Sequence, residues 1–349
     1  TERISPEMLN GYPPEYALMS PCGQRGVNAI KKSTAQPSLS METIRKLLIP
    51  IPPLKEQKCI SLKLSEALPL VEKYSKVQEE QNQLNVEIQY LLKKSILQEA
   101  IQGKLVPQIA EEGTAQELLE QIKTEKEKLV KDGKLKKSAL TDSVIFKGDD
   151  NKYYEQVGKS DKEITEEIAF DLPNGWSWCR LKDICSIFTG ATFKKEETVT
   201  TKEGVRILRG GNISPFELRI KDDDIFLTKD KVKEDIILKE NDILTPAVTS
   251  LENIGKMVRV NSDMPNTTVG GFVFIIRLYL KNQWLSKYIL YLLSSPFMID
   301  FMKSITNKSG QAFYNIGKER LSTALLPIPS LAEQHRIVAQ IEKLFEQLR

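Results

Sequence analysis

The phrase LLIPIPPLKEQKCI at positions 47–60 returns as LLPIPSLAEQHRI at 325–337. At a constant offset of 277, Leu48, Pro50, Ile51, Pro52, Leu54, Glu56, Gln57 and Ile60 recur as Leu325, Pro327, Ile328, Pro329, Leu331, Glu333, Gln334 and Ile337. The likeness continues as pattern. Ile60, Leu64, Ala67 and Val71 follow the spacing of one helix face, and Ile337, Ile341, Leu344 and Leu348 repeat it. Upstream, GQRGVN (23–28) echoes GQAFYN (310–315). Each copy therefore reads as a loop ending in Gly-Gln-x-x-x-Asn, a short helix, a Pro-x-Pro stop and then a long helix. The period is too long for a solenoid and marks a duplicated module.

A chain of 349 residues has room for two domains or slightly more, and 40% hydrophobic with 28% charged residues suits a globular protein. The net charge of +3 carries no global basic excess, so any nucleic-acid face must be local. Cys22, Cys59, Cys179 and Cys185 form no C-x-x-C pair, and the single histidine is His335, so neither a metal site nor a catalytic His pair is expected. Unpaired cysteines fit a reducing cytoplasm. The apolar runs FVFII and YILYLL are far shorter than the roughly 20 residues of a membrane span. The start at Thr1, inside a repeat unit, suggests a fragment of a longer product.

Ser40 can cap a short helix with Ile44, Leu47 and Leu48 on its apolar side, ended by Pro50, Pro52 and Pro53. From Leu54 to Ile101 the pattern predicts one helix of about 70 Å, with Pro69 kinking or breaking it. A narrow apolar stripe of that length needs a partner helix. Thr114 and Glu117 form a capping box opening a solvated helix in the lysine- and glutamate-rich connector. SVIFKGDDNKYYEQV reads as a hairpin turning at 149–151. Beyond 172 come short β-type runs (VRILRG, DILTPA, KMVRV, GGFVFIIRLYL), a helix from NQWLSKYILYLL, the loop TNKSGQAFYN and the second copy of the repeated phrase.

LPNGWSWCRLKDICSIFTGATF, GVRILRGGNIS, NDILTPA and LLPIPSLAEQHRI resemble the specificity subunit of type I restriction–modification enzymes. The resemblance implies an α+β fold: a mixed α/β target recognition domain with a β-rich core, plus long antiparallel coiled-coil helices. It places the end of a first recognition domain at 1–46, a first conserved region with its long helix at 47–106 and a charged connector at 107–171. A second recognition domain follows at 172–324, and the start of a second conserved helix at 325–349. It implies double-stranded DNA with a bipartite target, two methyltransferase subunits and restriction or motor subunits as partners, and no membrane. The helices are expected to pack through Ile60, Leu64 and Val71 on one side and Ile337, Ile341 and Leu348 on the other. Most of a first recognition domain and of the second helix is missing from the pattern.

Catalytic motifs are absent. There is no Asn/Asp-Pro-Pro-Tyr/Phe, and RGGN (209–212) lacks the spacing of a phosphate or dinucleotide loop, so no catalytic residue, metal or cofactor is assigned. Asp222, Asp223 and Asp224 read as a surface loop rather than a metal site. Reading DNA needs Lys, Arg, Ser or Thr on phosphates, Arg on guanine and Asn or Gln on adenine. The candidates are Lys194, Lys195, Arg209, Asn212, Ser214, Thr249, Ser250, Lys256, Lys308, Ser309, Gln311 and Tyr314. Each could equally be an ordinary loop residue. The leading expectation is a non-catalytic specificity subunit. Alternatives are the recognition tail of a fused restriction–methyltransferase, or a coiled-coil protein that assembles without DNA.

Overall fold

The computed structural model describes residues 14–31, 39–199, 203–309 and 313–348. The chain divides into two compact units, Thr1–Ile88 and Gln89–Arg349.

In the first unit, Ser20 caps a helix over Pro21–Ile30, its Oγ accepting from Gly23 N–H at 3.1 Å, and Pro21 opens the first turn. GQRGVN thus lies inside a helix and not in the expected loop. Ser40 does cap a short helix, Met41–Ile44, with Thr43 N–H donating to its Oγ. That helix stops before Leu48, which is 93% exposed. Residues 47–53 are irregular, because three prolines remove backbone donors. The long helix then runs over Leu54–Ile101 without a break at Pro69. Gln57 is buried, and its Nε2 donates to Pro52 O at 2.8 Å, clamping the helix start against the proline stretch.

The long helix from Gln89 to its end belongs to the second unit, where Leu97, Ala100 and Ile101 enter the main core. Gly103 ends the helix at φ 69°, and a Cβ there would lie 2.4 Å from Pro173 and 3.2 Å from Trp176, so the stop and the close approach both require glycine. The connector helix, Ala115–Lys131, is capped by Thr114, which accepts from Glu117 N–H. It is not simply solvated. Ala115, Leu118, Ile122 and Lys126 form a buried stripe, and Lys126 pairs with Asp142 beneath the Tyr279 ring. The hairpin of Ser143–Lys147 and Tyr153–Val157 gains a third strand, Ser160–Glu163. Arg180 fastens this sheet with a bidentate pair to Glu155 (3.1 and 2.6 Å) and a contact to Glu167 at 2.8 Å.

The strand Ser177–Arg180 pairs antiparallel with Leu325–Ile328, so the Trp-x-Trp and Pro-x-Pro phrases zip together across the ends of the β-rich region. Trp176 Nε1 donates to Glu333 at 3.0 Å, and Tyr288 Oη donates to Pro327 O at 2.7 Å. Between those ends lie two four-stranded sheets. One is antiparallel, built on Ile243–Pro246 and Val273–Leu278; the other contains one parallel pair, Val205–Leu208 with Thr267–Val269. A second hydrophobic cluster, including Ile207, Leu208, Leu227, Leu244 and Ile275, fills this β-rich part.

The helix Leu331–Gln347 buries Ile337 and Ile341 completely in the cluster that holds Leu97, Ala100, Ile101 and residues of the helix Gln283–Leu293. Of the other residues expected in the helix packing, Ile60 and Leu64 are half-buried, Val71 is 59% exposed, and Leu348 is half-buried.

Hydrogen bonds from Arg180 hold the Glu155 carboxyl below its ordinary value of 4.5 despite partial burial. Stability from this pair is therefore full above 4.5 and is lost as pH falls through the depressed value. Glu155→Gln is expected to cost about 1–3 kcal/mol at neutral pH and to flatten the loss of stability below pH 4.5, read by thermal melts across pH.

Candidate nucleic-acid interface

Strand ends in the β-rich region bring four loops and a hairpin into one continuous surface. Gly190 N–H donates to Val273 O and Ala191 N–H to Val269 O, which seats the 190–195 loop beside Gly270–Phe272. Gly271 leaves no room for a side chain, since a Cβ would sit 2.9 Å from Thr192 Oγ1. Gly270 N–H donates to Leu208 O, joining the loop that carries Arg209. Gly210 in turn faces Pro246, 3.7 Å from where its Cβ would be. Ala247 N–H donates to Phe272 O, and Ile316 N–H to Ala247 O. Thr249 lies opposite Tyr314 in the pairing that attaches the hairpin of Thr306–Ser309 and Phe313–Ile316.

Lys194, Lys195, Arg209 and Lys308 are exposed on these loops, and Tyr314 is half-buried beside them. Thr249 is only 8% exposed. Ser250 acts locally: its Oγ donates to Glu252 and accepts from Asn253 Nδ2. Lys256 sits at the far end of that loop, next to Gly255, whose missing side chain admits Ile299. Ser214 belongs to a separate hairpin, whose Phe216 packs on Tyr291 and Phe345. The side chain of Ser309 and all of Gln311 lie outside the described residues.

Asn212 is corrected outright. It is 1% exposed, and its amide is used inside the fold: Nδ2 donates to Arg219 O and Asp224, while Oδ1 accepts from Arg209 N–H. It shapes the Arg209 loop and offers nothing to a base. Asp224 also departs from a surface loop. Burial alone would raise its carboxyl, but bonds from Lys221 N–H, Asn212 and Arg206 outweigh burial and hold it below the ordinary range. Arg209 pairs with Asp223 at 3.2 Å, with both side chains well exposed (48% and 76%), so the contact is weak and exchangeable. Among the described residues no group of His, Cys, Asp and Glu could hold a metal.

Two aromatics on this surface escaped the sequence reading. Phe272 is 73% exposed between the basic loops, and Phe313 is 55% exposed on the hairpin. The apolar run GGFVFII hid the first, because Phe272 lies just before the strand Val273–Leu278, whose first four residues are all buried. His335 is exposed and packs against Trp284 with the rings tilted, their centroids 3.9 Å apart.

Asp224→Ala leaves Arg206 and Asn212 without their shared partner and is expected to destabilise the second unit by about 2–4 kcal/mol. Asp223→Ala, on the exposed pair, should leave the melting temperature unchanged. Differential scanning calorimetry of both variants checks the contrast.

The family model described as the type I restriction modification DNA specificity domain matches residues 16–100 and 173–349, the two segments that each contain the repeated phrase. The chain is 31% identical over 273 residues to the type I restriction enzyme EcoAI specificity subunit of Escherichia coli, covering 73% of this chain and 39% of that protein. It is 26% identical over 258 residues to the EcoEI specificity subunit of the same organism, covering 73% and 40%. It therefore spans about two-fifths of the length of these relatives. The fold resembles a chain solved in work on complex assembly and conformational transition of the type I R-M system, with TM-score 0.50, 19% identity and coverage of 93% and 60%. The chain belongs to the type I restriction modification DNA specificity domain family.

Proposed function

We propose that this chain is the DNA-reading part of a type I restriction–modification specificity subunit, and that it recognises one half of a bipartite double-stranded target. The observation that carries this reading is the single loop surface on which exposed Lys194, Lys195, Arg209 and Lys308 surround exposed Phe272. Cations neutralise phosphates, while an arginine on a glycine-flanked loop and a projecting aromatic suit base edges and methyl groups. A nearly neutral chain with exposed Lys194, Lys195, Arg209 and Lys308 gathered on one loop surface is suited to reading DNA locally rather than to coating it.

In this reading the chain itself performs no methyl transfer and no cleavage. The long helix acts as a spacer and scaffold for two methyltransferase subunits and for restriction or motor subunits in the cytoplasm, with Ile60, Leu64 and Val71 part of its packing surface. The recognition tail of a fused enzyme is the weaker alternative, because the named relatives are specificity subunits. No helix among the described residues is long and apolar enough to cross a membrane.

The test uses a duplex bearing the motif found by methylome sequencing of cells that carry the complete system. Arg209→Ala should cost about 1–3 kcal/mol of binding and relax one base position. Lys194→Ala should weaken binding evenly across sequences and lower the salt slope by about 1. Phe272→Ala should weaken target binding without lowering the melting temperature. Unchanged affinity and motif in all three variants would contradict the reading.

A further inference from the structure

The repeated phrase makes the same local shape twice, but the two copies differ in what covers them. In the second copy, Leu325, Leu326 and Ile328 are 7%, 0% and 0% exposed, because Ser177–Arg180 pairs along them. Glu333 accepts the Trp176 indole N–H, and Gln334 Nε2 donates to Pro329 O at 3.1 Å, holding the helix start against the strand. In the first copy the clamp is already closed, with Gln57 Nε2 on Pro52 O at 2.8 Å and Gln57 2% exposed. The helix begins at Leu54, the counterpart of Leu331. Yet Leu48, Ile51 and Leu54 are 93%, 40% and 50% exposed. Glu56, the counterpart of Glu333, is exposed too. Among the described residues no strand pairs with 48–51.

We propose that residues 47–57 form a preshaped acceptor for a β-strand of the Trp-x-Trp-x-Arg type, supplied by a second recognition domain of the same class as residues 173–324. The second copy is the template for the filled site. By its register, Leu48 lies opposite the arginine and Ile51 opposite the residue between the two tryptophans, as Leu325 faces Arg180 and Ile328 faces Ser177. Glu56 takes the indole N–H of the first tryptophan. Three large apolar side chains leave water on docking, and the N–H groups of Ile49 and Ile51, counterparts of Leu326 and Ile328, gain a strand to bond. Pro50 and Pro52 supply no donors, which limits pairing with unrelated strands. Because the Gln57 clamp stands without the strand, little ordering is left for the docking step. This inference is independent of DNA reading.

The experiment uses the whole chain and a synthetic peptide of residues 173–184 with Cys179→Ser, followed by hydrogen exchange and by cross-linking from a benzophenone on the peptide. The peptide is expected to slow exchange of the Ile49 and Ile51 amides at least about tenfold and to cross-link within 47–57. A peptide with both tryptophans replaced by alanine should do neither, and Glu56→Lys in the protein should lower capture about tenfold. Three results would overturn the proposal: no slowing at 48–51 at the highest soluble peptide concentration, equal slowing by the alanine peptide, or cross-links confined to 325–331.

Discussion

The pairing of Ser177–Arg180 with Leu325–Ile328 is the closure on which the second unit depends. It joins segments almost 150 residues apart in sequence, so its loop-closure entropy must be offset by dense burial. Leu326, Ile328 and Trp178 supply that burial, at about 1.5–3 kcal/mol for each fully buried large aliphatic side chain. The same closure carries the Trp176–Glu333 bond to the helix Leu331–Gln347 and sets Leu181 N–H on Ala324 O. The loops that present Lys194, Arg209 and Phe272 hang from strands rooted in this closed body. Loops that must keep their spacing need such a rigid base.

Buried charges then orient the outer layers. Lys126 pairs with Asp142 and holds the connector helix; Arg180 holds the three-stranded sheet; Arg277 makes a bidentate contact to Asp242 at 2.7 and 2.6 Å. Pairs of this kind add little net stability compared with apolar replacements, but leaving one partner alone is costly, so they select one arrangement of packed layers. Asp224 applies the same device to the Arg209 loop, where it fixes Asn212 and Arg206 while Arg209 stays outside. Fixing the loop's interior and leaving its cation on a weak surface pair gives an arginine whose carboxylate partner is readily exchanged.

The long helix and the repeated phrase were legible because local chemistry sets them: prolines before Leu54, a helical composition that carries Pro69 without a break, and Gly103 at the stop. The Ser20 cap and Pro21 also carried a helix signal, which the echo of Gly-Gln-x-x-x-Asn outweighed in the reading. The buried stripe of the connector helix was hidden because Lys126 looks solvated until Asp142 and Tyr279 are brought to it. Asn212 looked like an adenine reader because the partners that occupy its amide, Arg219 and Asp224, come from a turn that the sequence pattern does not define. That Ile337 and Ile341 share a core with Leu97, Ala100 and Ile101 at the end of the long helix, and with the helix Gln283–Leu293, was unreadable for the same reason. Convergence of the loops depends on strand order, which includes a parallel pair between Val205–Leu208 and Thr267–Val269 that no local signal announces.

The central claim is that the loops of the β-rich region between residues 185 and 316 read one half of a split DNA target. Its most direct test is methylome sequencing of cells in which this segment, within the complete system, is exchanged for that of a relative with a different motif. The account predicts that one half of the methylated motif changes to the relative's and that the other half and the spacing persist. A change in both halves, or none in either, would contradict it.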